Sequence, residues 1–89
     1  MKAVISVVGK DTFGIIAKVS AVCAGDQVNI QDISQTVLQD YFSMIMLVDI
    51  SRISVPFADF VDQMSRLGEE NNLEIHAMHE DIFNAMHRI

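Results

Sequence analysis

The sequence has few of the residues that cross-link a small protein. Its 89 residues include one cysteine, one proline and no tryptophan. A single cysteine excludes an intramolecular disulfide and argues against a thiolate metal site. Cys23 falls on the apolar side of a helical pattern, which indicates a buried, inert thiol. We therefore expect the fold to be stabilised by apolar packing rather than by cross-links.

Positive charge and long apolar runs are also scarce. The chain has six Lys and Arg and twelve Asp and Glu, which gives a formal charge of −6, and the basic residues are scattered. Nucleic-acid binding needs a local density of positive charge, so we predict no nucleic-acid partner. No apolar run approaches the roughly 18 residues of a membrane span, and the first run is too short for a signal peptide. These absences predict a cytoplasmic protein without a membrane partner.

Apolar residues, in contrast, are abundant at 51% of the chain. The length predicts a single domain over residues 1–89, with a core of 1–79 and a helical extension of 80–89. A domain of this size buries only roughly 60–65% of its unfolded surface. Because its core is thin, we expect a second subunit to cover some apolar surface, in a homodimer or higher homo-oligomer.

Apolar periodicity predicts four strands and three helices. The strands are expected at residues 2–8, 28–38, 41–50 and 73–78, and the helices at 13–24, between Ser54 and Glu69, and at 80–89. Ser54 is expected to cap the second helix with Pro56 in its first turn, and Gly25 to follow the first helix as its C′ residue. The apolar parity of the second strand changes between Ile30 and Ile33, which predicts a bulge near residues 31–32.

This order, β-α-β-β-α-β with an extra helix, contains two crossovers that we expect to be right-handed. It predicts an α+β, ferredoxin-like sandwich, in which a four-stranded antiparallel sheet carries two helices on one face. A short C-terminal helix is added to that core.

The first loop joins a strand that ends at Gly9 to a helix that begins after Gly14. Asp11 could accept a backbone N–H as an N-cap, and the glycines permit a tight turn that leaves the helix start open. The N–H groups at a helix start attract carboxylates. The alternative is a capped turn that binds nothing.

The segments Gly9–Ile16 and Val28–Ile33 together resemble the ACT domain. The usual pattern of that family is Asp-x-x-Gly-Ile/Leu before a helix and Asn-Ile-x-Asp/Glu-Ile on the second strand. The resemblance covers essentially the whole chain, and it is closest to small stand-alone bacterial and archaeal ACT proteins. The chain is also distantly similar to the glycine-cleavage-repressor type.

The resemblance implies a regulatory domain that binds a small molecule, commonly an amino acid, at a homodimer interface and acts in trans on a partner protein. The implied ligand-binding residues are Asp11, Thr12, Phe13, Gly14, Ile15, Asn29, Ile30 and Asp32. Main-chain N–H groups near Gly14 could hold an α-carboxylate, and the Asn29 amide could both donate and accept. Either Asp11 or Asp32 could take the α-ammonium group.

Other functions were weighed on the same residues. No Ser/His/Asp or Cys/His arrangement can be argued, and the first loop lacks both an arginine for phosphate and a Cys-x-x-Cys pair for copper. His76, His79 and His87 lack the three or four converging ligands that zinc needs. We therefore predict no catalytic activity, no metal and no cofactor. The remaining alternative is a ligand-free interaction module that uses the apolar sheet face, with Ile45 and Leu47, and the C-terminal helix.

Overall fold

The computed structural model describes residues 1–10 and 13–86. The strands are β1 (Lys2–Gly9), β2 (Asn29–Leu38), β3 (Tyr41–Asp49) and β4 (Glu74–His79), and the helices are α1 (Ile15–Gly25), α2 (Phe57–Glu70) and α3 (Glu80–Met86). The sheet has the order β2-β3-β1-β4, and every neighbouring pair is antiparallel. The predicted ferredoxin-like α+β fold with a C-terminal helix is confirmed.

The core lies between one sheet face and the helices α1 and α2. Residues that pair across the sheet point to the same side, and Ile5, Met46 and Ala77 form one such buried row. Cys23 on α1 and Phe60 on α2 pack into the same cluster. Every second residue of β1, β3 and β4 therefore faces the helices, as the alternation predicts, and the others lie on what we call the open face of the sheet.

The bulge predicted in β2 is present. The register shifts between Ile30 and Asp32, which leaves Gln31 as the extra residue. As a result Ile30 pairs with Val48 and Ile33 pairs with Met46, two partners that face the helices. Ile33 nevertheless remains exposed, because β2 is an edge strand at the border of the helix layer.

Two predicted helix ends are wrong. The second helix begins at Phe57 with Pro56 as its N-cap, not after Ser54. A residue that precedes proline favours extended backbone, and the Ser54 N–H donates instead to the Asp26 carbonyl at 2.9 Å. The first helix includes Gly25 and ends at Asp26 as its C-cap, so Gly25 is not the C′ residue.

The third helix lies over part of the open face, against β1 and β4. It covers Val4, which is buried although its strand position faces away from the core. A groove of about 530 Å³ remains between α3 and the sheet, with Ile45, Met78 and Phe83 among its lining residues. The tail predicted to continue this helix over residues 87–89 lies outside the described residues.

Candidate functional site

Gly14 and Asn29, two of the predicted ligand-binding residues that the structure describes, lie at opposite ends of the sheet. Strand β1 ends at Gly9 beside the first loop, and at its other end Lys2 pairs with Asp49. Asp49 in turn pairs with Asn29 at the start of β2. Seven residue steps of about 3.3 Å separate these two ends by about 23 Å. One chain therefore does not bring the first loop together with Asn29.

At the loop end, the start of α1 is open. Gly14 occupies the N-cap position with φ 74°, a left-handed conformation that glycine adopts readily. A Cβ added to Gly14 would meet nothing within 4 Å. The first helical hydrogen bond runs from the Lys18 N–H to the Gly14 carbonyl at 3.1 Å, so the N–H groups of residues 15–17 have no partner within the helix. Gly14, and not Asp11, is the N-cap residue, and Asp11 and Thr12 lie outside the described residues.

The side chains beside this helix start differ in their accessibility. Phe13 is 93% exposed, whereas Ile15 is buried in the core. Ile15 could therefore offer a ligand only its backbone N–H. Lys10 extends over the exposed ring of Tyr41, with its Nζ 5.3 Å from the ring centroid, which places a positive charge and an aromatic surface at this end.

A cleft of about 800 Å³ adjoins the loop end, where β1 meets the connection between α2 and β4. Lys10, Asn71 and Glu74 are among its lining residues. The Lys18 Nζ donates to Asn71 Oδ1 at 2.6 Å, and Asn71 Nδ2 donates to the Leu67 carbonyl at 2.8 Å. These bonds link the helix that starts at the loop to the far wall of the cleft.

At the other end of the sheet, Asn29 lines a polar pocket of about 250 Å³. Its other lining residues are Gln27, Asp49, Ser51 and Arg52. Asp49 Oδ1 accepts the Ser51 N–H at 2.8 Å, and hydrogen bonds from Ser51 hold the pKa of Asp49 below its ordinary value. The sequence analysis did not single out these neighbours of Asn29, although Asp49 is the only charged residue within β3.

Ile30 and Asp32 follow Asn29 but do not join its pocket. Ile30 is partly buried and packs against the core. Asp32 is exposed on the open face, opposite Leu47. Its Oδ1 accepts the Ile33 N–H at 2.9 Å, so the carboxylate is directed to its own strand.

The histidines make separate contacts. His76 Nε2 lies 3.2 Å from Glu74 Oε2, and the His79 ring stacks on Phe57 with centroids 4.3 Å apart. Within residues 1–10 and 13–86, no three His, Cys, Asp or Glu side chains are grouped so that they could hold a metal ion. His87 lies outside that range, so the absence of a metal site from the whole chain stays a prediction.

None of the helices in the part of the chain that the structure describes has the length and apolar character needed to cross a membrane.

Comparison with known proteins decides the family. The family model for the ACT domain matches residues 2–78. The chain belongs to the ACT domain family. The resemblance stated from the loop and β2 motifs is thereby confirmed, and this family is one of regulatory domains.

Relatives of this ACT domain match it over nearly their whole length. A UPF0237 protein of Methanocaldococcus jannaschii is 48% identical over 88 residues, which are 99% of this chain and 98% of the relative. A UPF0237 protein of Listeria innocua is 45% identical over the full length of both chains.

Solved structures include proteins with the same fold. An ACT domain protein from Streptococcus pneumoniae is 42% identical, with a TM-score of 0.79 over 93% of each chain. A putative glycine cleavage system transcriptional repressor has a TM-score of 0.66 at 24% identity, over 85% of this chain and 43% of the other. The second likeness shows a shared fold.

Proposed function

We propose that this ACT domain binds an amino acid at the interface of a homodimer and regulates another protein in trans. The observation that carries the proposal is the separation of the loop end from Asn29. Each chain would supply its loop to one site and its Asn29 to another, and a second copy would complete both sites. The proposed ligand-binding residues remain Asp11, Thr12, Phe13, Gly14, Ile15, Asn29, Ile30 and Asp32.

The edge of β2 offers a way to join the halves. Strand β2 is ten residues long and, within residues 1–10 and 13–86, pairs with β3 alone, so its outer edge presents backbone groups for a further strand. Two copies that pair antiparallel along this edge would be related by a two-fold axis. Since Asn29 and Leu38 are at opposite ends of β2, that pairing would place Asn29 of one chain near the loop end of the other.

Exposed apolar side chains at the loop end support a second subunit there. Phe13 is 93% exposed, Val37 on β2 is 69% exposed, and Tyr41 is also exposed. Large apolar side chains grouped near one edge commonly mark an interaction surface. A second copy along β2 would cover part of this surface.

The chemistry of the combined site suits an amino acid. The N–H groups at the start of α1, which have no partner within the helix, would hold the α-carboxylate with the help of the partial positive charge of the helix. The Asn29 amide of the other chain would supply both a donor and an acceptor. A ligand bound in this way would stabilise one dimer arrangement, and that arrangement would alter the partner protein.

A thermal melt against the twenty amino acids tests ligand binding. A ligand at a hundred times its Kd adds about 2.7 kcal/mol of stability, which should raise the Tm of so small a domain by roughly ten degrees or more. We expect Gly14→Val and Asn29→Ala to abolish the shift. Gln35→Ala, which removes an exposed amide elsewhere on β2, is the matched control and should retain it.

Mixed dimers test whether the site is shared between chains. Gly14→Val and Asn29→Ala chains should each form dimers that bind nothing. In a mixed dimer, the intact loop of one chain meets the intact Asn29 of the other, so one of the two sites should return. If mixing restores no binding, the shared site is wrong, and a monomer at micromolar concentration in light scattering would exclude the homodimer itself.

The groove beside α3 favours a second candidate, a ligand-free interaction module. Val8, Ile45 and Met86 line this groove and are exposed. If this second candidate is right, none of the amino acids would shift the Tm. Ile45→Asp would then weaken binding of a partner protein, whereas Asn29→Ala would leave it unchanged.

A further inference from the structure

We propose that Asp49 accepts the α-ammonium group of the bound amino acid. This inference rests on the proposed function and assigns one of its contacts to a residue that the motifs of the sequence do not include. Asp11 and Asp32 are the acidic residues that the motifs suggest for this contact. The structure provides three observations that favour Asp49.

The first observation is position. Asp49 pairs directly with Asn29 across β2 and β3, and side chains so paired have Cβ atoms about 4.5–5.5 Å apart. Both residues line the same pocket. A ligand that the Asn29 amide holds therefore lies within reach of the Asp49 carboxylate, whereas Asp32 does not line this pocket.

The second observation is the state of the carboxylate. Its Oδ1 accepts the Ser51 N–H at 2.8 Å, which orients the group. The side chain is 34% exposed, so a ligand can reach it. The lowered pKa of Asp49 keeps it ionised near neutral pH. The Met1 amino group lies 3.9 Å from Oδ1, so this carboxylate already attracts a cation.

The third observation is the charge of the pocket as a whole. Arg52 lines it together with Asp49 and forms no ion pair with any residue that the structure describes. Both signs of charge are therefore present in a space of about 250 Å³. Such a pocket fits a zwitterion better than a simple cation, because the guanidinium repels a ligand that carries only positive charge.

The test compares an amino acid with its α-hydroxy acid, which lacks the ammonium group but keeps the carboxylate and side chain. The probes are the amino acid with the largest Tm shift in the twenty-compound melt and its hydroxy counterpart, such as lactate for alanine. Affinities are measured by calorimetry on the full chain. Asp62→Asn, which removes an exposed carboxylate on α2 away from the pocket, is the matched control for Asp49→Asn, and Asp49→Glu keeps the charge in case the first variant fails to fold.

We expect wild type and Asp62→Asn to prefer the amino acid by at least about tenfold, which corresponds to about 1.4 kcal/mol. Asp49→Asn should lose that preference through weaker amino-acid binding while it binds the hydroxy acid as before. Asp49→Glu should retain part of the preference. Putrescine, a cation without a carboxylate, should not raise the Tm.

The assignment of Asp49 would be overturned if Asp49→Asn preferred the amino acid over the hydroxy acid as strongly as wild type does, or if Asp49→Glu showed no such preference. An equal shift with putrescine would overturn the zwitterion pocket. In either event, loss of binding in Asn29→Ala would leave the proposed function standing. If wild type binds none of the twenty amino acids, the proposed function fails, and the assignment of Asp49 fails with it.

Discussion

Gln27 at the end of α1 and Asn72 at the end of α2 occupy equivalent backbone positions. Their φ angles are 58° and 57°, and in each case the next N–H reaches back into the helix at 2.8 Å, from Val28 to the Cys23 carbonyl and from Leu73 to the Gly68 carbonyl. Both ends are Schellman motifs with a left-handed C′ residue. Asparagine adopts that conformation more readily than glutamine, so Gln27 carries more backbone strain than Asn72.

Replacement of Gln27 by glycine should therefore stabilise the domain. We expect a gain of about 1 kcal/mol, since the left-handed conformation costs a residue with a Cβ roughly 1–2 kcal/mol. Urea unfolding of the ligand-free protein measures it. Asn72→Gly should change stability by only a few tenths of a kcal/mol, and equal gains at the two positions would contradict the explanation.

Gly68 allows α2 to approach β4 closely. A Cβ at Gly68 would lie 2.6 Å from the Leu73 carbonyl oxygen and 3.1 Å from the Ile75 nitrogen, and these backbone atoms have little freedom to move. Gly68→Ala should thus destabilise the domain by about 1–3 kcal/mol. The matched change, Gly25→Ala, meets nothing within 4 Å and should stabilise it by about 0.4–1 kcal/mol. The steric argument would be refuted if chemical denaturation showed that both substitutions change the free energy of unfolding in the same direction.

Cys23 should behave as an inert thiol in the folded protein. Burial, and secondarily the charge of Asp26, raises its pKa from 9.0 to about 11. The thiol should fail to react with a disulfide reagent at pH 8 until the protein is unfolded. Because the folded pKa is raised, its contribution to stability is complete below pH 9 and is lost as pH rises from 9 to about 11. Unfolding measured over that range should show less pH dependence in Cys23→Ala.

Asp26 places a carboxylate at an unfavourable site. It is 9% exposed, its Oδ2 has no hydrogen-bond partner in the described part of the chain, and it caps the C-terminal end of α1, where the helix carries partial negative charge. Asp26→Asn removes the charge and should stabilise the domain by about 1 kcal/mol. Asp59→Asn, in the favourable first turn of α2, should be neutral or slightly destabilising. A thermal melt in which Asp26→Asn has a lower Tm than wild type would contradict this account.

Much of the fold follows from local pattern. The alternation in β3 and the helical spacing in α2 predict those elements, and the change of parity between Ile30 and Ile33 predicts the bulge. The helix ends were less predictable. Ser54 does not cap α2 because Val55 precedes Pro56 and favours extended backbone, so the helix begins only at Phe57. No local signal indicates that the Ser54 N–H donates to Asp26, a residue distant in the chain.

The sequence by itself determined the elements, their order and the motifs around Gly14 and Asn29, because periodicity and turn chemistry depend on neighbours along the chain. Only the tertiary structure decided that these two motifs lie at opposite ends of the sheet and that Asp49 and Arg52 stand beside Asn29. Strand register sets those relationships. Register depends on which distant residues pack together, and the pattern within one strand does not specify its partner.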